Sequence, residues 1–87
     1  MIIAKVVGSV VATRKNENLV GHKLMIVEPL ENNSGKGGRF VSIDNVGAGI
    51  GETVLVALGR SAAIGCDFAE SPIDAAIVGI VDSITET

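Results

Sequence analysis

Apolar and polar positions alternate along several short stretches of this chain. Residues 2–13, "IIAKVVGSVVAT", place Ile2, Ala4, Val6, Gly8, Val10 and Ala12 on one face and a mixed set on the other. A period of two rich in β-branched residues is the pattern of a strand. Gly8, in its middle, predicts a bend or bulge. A polar turn follows at 14–18, "RKNEN". A second strand is expected over 20–28, "VGHKLMIVE", with Leu24 and Ile26 on one face and Met25 and Val27 on the other. Pro29 ends it, because proline offers no amide to a ladder. The segment 31–39, "ENNSGKGGR", predicts an exposed hairpin tip. A third strand over 40–46, "FVSIDNV", turns Val41 and Ile43 inward. A fourth over 53–58, "TVLVAL", has so little polarity that both its faces should be covered.

The segment 59–66, "GRSAAIGC", breaks the alternation. Ser61 can cap a short helix through Ala62, Ala63 and Ile64, and Ser71-Pro72-Ile73-Asp74 has the form of a second cap. The final strand is expected over 74–84, "DAAIVGIVDSI". Its "AAIVGIV" (75–81) echoes "AKVVGSV" (4–10), each with a glycine after a β-branched pair. Two strands meet the same bending requirement here, though the match is too short to be a repeat. Five short strands, one short helix before the last and glycines at bends predict an all-β fold. It is a small, partly open five-stranded barrel of the OB type, forming a single domain over 1–87.

Composition sharpens this. With 87 residues the chain buries only about 60–65% of its unfolded surface, yet 47% of its residues are hydrophobic. That surplus predicts a subunit interface. No apolar run approaches the ~20 residues of a membrane span, and "MIIAKVVGS" lacks the features of a secretory signal, so a cytoplasmic protein without a membrane partner is expected. The formal net charge is −3, and Phe40 and Phe68 are the only aromatic residues. Nucleic-acid binding rests on clustered Lys and Arg and on stacking rings, so no nucleic-acid partner is expected.

"GAGIG", 47–51, is the most suggestive motif. A dinucleotide loop requires a third glycine one residue later and a helix after it. Here the run leads into a strand, Glu52 brings negative charge, and no Lys follows as in a phosphate loop. It is read as a strand-to-strand turn in which glycine supplies positive φ or close approach. His22, the single histidine, has no nucleophile or orienting group beside it in sequence. Cys66, the single cysteine, excludes an intramolecular disulfide and a Cys-rich metal site. The acidic residues show no metal spacing. No catalytic residue, cofactor or metal is assigned.

With these residues in view, the chain resembles the EutN/CcmL-type vertex proteins of bacterial microcompartments, the pentamers of carboxysome and metabolosome shells. The resemblance rests on "IAKVVGSVVATRKNENLVGHKLMIVEPL", "VSIDNVGAGIGETVLVALGRSA" and "SPIDAAIVGIVDSI", in that order. The chain departs from the pattern in "AIGCDFAE" (63–70), where Cys66 and Phe68 stand, and the 31–39 loop varies within the family. The resemblance implies a non-catalytic shell protein with an OB-like barrel. Its homopentamer would cap the five-fold vertices of a shell built mainly of hexameric proteins. Small residues allow close subunit approach, which places Gly47, Ala48, Gly49, Gly51, Arg60, Ser61 and Ala62 at the interface or the central axis. Two other functions compete: an OB-fold nucleic-acid-binding module, and a small ligand-binding module or enzyme using the glycine loop.

Overall fold

The computed structural model describes residues 1–12, 17–19, 21–30, 38–59 and 74–86. Five strands, β1 (Ile2–Val10), β2 (Lys23–Pro29), β3 (Phe40–Asp44), β4 (Thr53–Leu58) and β5 (Ala75–Ile80), pair into a barrel. Their order around the wall is β1-β2-β3-β5-β4, and β4 pairs back onto β1 to close it. Every seam is antiparallel except β3–β5, a parallel contact of two residue pairs. The barrel is thus closed rather than partly open, with its shortest seam between β3 and β5. A 3-10 turn, Glu17–Leu19, leads toward β2. The expected helices around Ser61–Ile64 and Ser71–Asp74 lie outside the described residues, apart from Asp74 itself, which precedes β5.

The core follows from the period of two. Ala4 and Val6 of β1, Met25 and Val27 of β2, Val54 and Val56 of β4, and Ala75 and Ile77 of β5 fill the interior. Ile2, Phe40 and Leu58 pack at its margins. Burying a side chain the size of Met25 or Ile77 contributes roughly 1.5–3 kcal/mol. On the outer wall, Ile43, Ala57 and Ala76 form a second cluster, covered by Leu19, Leu24 and Val78. β4 is therefore packed on both faces, as its near-absence of polar residues predicts.

Two β-bulges bend the wall, and they use the same residue pair. In β1, Val6 faces Val27 and Gly8 faces Ile26, so Val7 is the extra residue. In β5, Ile77 faces Val56 and Gly79 faces Leu55, so Val78 is extra. These are the equivalent positions of the two echoing segments. The first bulge also corrects the expected continuous apolar face of 2–13. Past Val7 the parity reverses, and Gly8 and Val10 lie opposite the outward-facing Ile26 and Leu24.

The third strand corrects the expectation of an inward Val41. Val41 is 48% exposed, whereas Ser42 is buried inside the barrel opposite Met25, and its hydroxyl donates to the Ile43 carbonyl at 3.2 Å. Ile43 is buried too, but on the outer wall. Pairing with β2 sets this register: Phe40 opposite Val27 and Ser42 opposite Met25 must share the interior face. Apolarity alone named the wrong face. Pro29 is the last residue of β2 and still pairs with Ala4, while Leu30 donates its amide to the Ile3 carbonyl at 3.1 Å. Pairing in β5 stops at Ile80, short of the expected Ile84, which is exposed.

Candidate subunit interface

The loop between β3 and β4 crosses one mouth of the barrel, and its shape is determined by two carboxylates. Asp44, the last residue of β3, accepts the amides of Val46 and Gly47 on Oδ1, each at 3.0 Å. An aspartate capping the amides just after it is the turn chemistry this residue favours. Glu52, at the far end, accepts the amide of Gly49 on Oε1 at 2.6 Å, while its own amide donates to the Gly49 carbonyl at 3.2 Å. Gly51 then has φ +95°, as the third residue of a type II turn over 49–52 requires. Gly47 has φ +82°. These two positions need glycine for conformation, since no neighbouring atom would obstruct a Cβ at either. Gly49 is different: its φ is not in the left-handed region, and a Cβ there would lie 3.3 Å from Glu52 Oε1.

The loop is sewn to the wall on both sides. Gly51 donates to the Val6 carbonyl at 2.8 Å, and the Val6 amide donates to the Glu52 carbonyl at 2.9 Å. On the other side Lys23, the first residue of β2, donates from Nζ to the Ala48 carbonyl at 3.1 Å. The same ammonium stands 3.8 Å from Asp44 Oδ2. Ala48 itself has no exposed surface and belongs to the core, so its side chain plugs the mouth.

This geometry answers the phosphate reading of the glycines. The amides a phosphate would recruit, those of Val46, Gly47 and Gly49, already face the chain's own carboxylates. Glu52 and Asp44 occupy the position of the anion. Among the described residues no group of His, Cys, Asp and Glu is arranged to hold a metal ion.

Of the residues assigned to the interface from sequence, Gly47 and Gly51 are exposed on the loop and Gly49 is half-buried. Ala48 shares the loop but faces inward. Arg60, Ser61 and Ala62 lie outside the described residues, as do Cys66, Phe68 and 31–37; Gly38 and Arg39 are exposed. Sequence reasoning passed over three exposed apolar residues. Ile50, at the tip of the loop, is 66% exposed, Val46 is 40% exposed, and Val11, just past the end of β1, is 94% exposed. All three lie at the barrel end that the loop closes, because Val10 pairs with Leu24 and Lys23 with Asp44 at that same end. The apolar identity of Ile50 between two glycines was the available signal. Lys23 carried none, since it meets Ala48 across 25 residues of sequence.

Comparison with known proteins places this frame. The family model described as "Ethanolamine utilisation protein EutN/carboxysome" matches residues 1–82. The chain is 48% identical over 85 residues to the bacterial microcompartment shell vertex protein GrpN of Rhodospirillum rubrum, covering 97% of this chain and 96% of that one. It is 44% identical to the carboxysome shell vertex protein CcmL of Synechocystis, covering 97% and 85%. Among solved structures, the GrpN pentameric microcompartment shell protein from Rhodospirillum rubrum superposes with a TM-score of 0.86 at 45% identity, covering both chains completely. CcmL from Nostoc gives 0.86 at 40% identity, covering 97% and 92%. The barrel order, the two bulges and the carboxylate-pinned glycine loop thus sit on a chain that matches its relatives almost end to end, and it belongs to the EutN/CcmL family.

Proposed function

We propose that this protein is a shell vertex protein of a bacterial microcompartment, in which five copies close a ring at each five-fold corner of the shell. It acts within the cytoplasm as a structural component, without catalysis. The single observation that carries this is the whole-chain superposition on a pentameric microcompartment shell protein, TM-score 0.86 at 45% identity. The symmetry supplies the mechanism. A head-to-tail interface repeats until its rotation closes, and closure after five subunits makes the corner that flat hexagonal layers cannot make. The flat facets around it would be hexameric shell proteins of the same compartment.

The mouth loop, with Gly47, Gly49, Ile50 and Gly51, is placed at the subunit contact or the central axis, together with Arg60, Ser61 and Ala62. Exposed Val11, Val46 and Ile50 support that placement, since a chain this small leaves apolar surface that a neighbour can bury. Nucleic acid is not expected as a partner. The net charge is −3, and Phe40 is packed at the margin of the chain's own core rather than offered as a stacking ring.

The test is native mass spectrometry of the purified chain. The expected species has five times the mass of the 8.9 kDa chain. A stable monomer at high concentration, or a ring of any other number, would overturn the reading.

A further inference from the structure

We infer that Lys23 is a positioning residue for assembly: it holds the mouth loop in the shape presented to the neighbouring subunit. The inference rests on the proposed placement of that loop at the subunit contact. Three observations carry it. The Asp44 side chain is only 1% exposed, and while Oδ1 receives two amides, Oδ2 is buried with no hydrogen bond. Such an oxygen requires a nearby positive charge, because a buried carboxylate without compensation is strongly unfavourable. The Lys23 ammonium stands 3.8 Å away. It also donates to the Ala48 carbonyl at 3.1 Å, the middle of the loop. One cation therefore ties the start of β2, the end of β3 and the loop together.

The energetics favour a clamp of this kind over a core element. The Lys23 side chain is 56% exposed, so its ammonium keeps water contact and loses little solvation. The strands do not depend on it, since Met25 and Val27 anchor β2 in the core without it. The loop does depend on it. The outward-facing Val46 and Ile50 flank Ala48, and rotation of the Ala48 carbonyl would re-aim both. A hydrogen bond from a charged donor is stronger than one between neutral groups, which suits the Lys23–Ala48 bond to holding one loop conformation.

Four variants and a control test this, each read by native mass over a dilution series and by amide hydrogen exchange. Lys23→Met keeps the aliphatic stem and removes the charge. The double variant K23M/D44N also removes the buried carboxylate charge, so an assembly defect that persists in it does not come from an uncompensated anion. Ile50→Asp tests the interface itself, and Lys5→Met, an exposed lysine elsewhere on β1, is the control. With the clamp at work, both Lys23 variants need ~10- to 100-fold more protein for half-assembly. Their Val46 and Gly47 amides exchange faster while the β1–β2 ladder stays protected. Lys23→Arg restores assembly in part, and Lys5→Met matches the parent.

If Ile50→Asp remains as stable a pentamer as the parent, the loop is not at the contact, and the interface reading fails along with the inference. If Ile50→Asp dissociates but both Lys23 variants assemble normally, only the role of Lys23 is overturned. Failure of K23M/D44N to fold also overturns it, because the role assigned leaves the barrel standing.

Discussion

Asp44 and Glu52 each turn back on the loop between them, and together they take the amides of Val46, Gly47 and Gly49. This makes the glycines interpretable one at a time. At Gly47 and Gly51 the backbone is left-handed with open space around it. A side chain there costs about 1–2 kcal/mol in conformation alone. Gly47→Ala and Gly51→Ala should each lose about that much in urea unfolding, measured at one fixed protein concentration because assembly contributes to apparent stability. Gly49→Ala should lose less, since only the flexible Glu52 carboxylate must move. Equal losses at all three would contradict this account of the loop. The aspartate–glycine pairing was legible in "DNVG", where a turn-forming Asp precedes a glycine by three. The back-reach of Glu52 was not, because a glutamate after a glycine run has many possible partners.

At the scale of elements, the Val7–Gly8 and Val78–Gly79 bulges lie on the two strands that flank β4. A bulge adds a residue, increases twist and bends its strand, so β1 and β5 curve around β4 from both sides. The glycines are not there for lack of room: a Cβ at Gly8 or Gly79 would meet Ile26 or Leu55 at 3.4 Å, an ordinary contact. Gly8→Ala and Gly79→Ala should therefore change stability by no more than about 1 kcal/mol. Deleting Val78 is a different perturbation. It removes the extra residue and leaves Gly79 opposite Leu55 and Ile80 opposite Val54, so the register survives while the bend is lost. That variant should melt at a lower temperature by circular dichroism, because β5 no longer curves around β4; an unchanged melt would mean the bulge is dispensable. Gly8 and the echoing segments made both bends visible in the sequence. The inward assignment of Val41 failed because face is set by the partner strand, and the partner's register is a non-local quantity.

For the molecule as a whole, a barrel with interior positions filled mostly by Val and Ala has limited apolar volume. Part of its hydrophobic surface stays outside, at Val11, Val41 and Ile50. If that surface is buried between five copies, stability is linked to concentration. The melting temperature should rise with protein concentration across the assembly range and level off once the ring is saturated. A melting temperature constant over a hundredfold dilution would remove oligomer formation from the stability of this protein.

What the sequence by itself determined is the set of elements: strands where β-branched residues alternate, turns where Asp and Gly gather, bends where glycine follows a β-branched pair. These are local properties, carried by dihedral preference and the period of two. Only the tertiary structure decided which face of β3 points inward, that β3 and β5 meet in a parallel seam of two pairs, and that Lys23 meets Asp44 and Ala48. Each of those depends on contacts between residues far apart in the chain, and their energies exist only once the strands have taken their places around the wall.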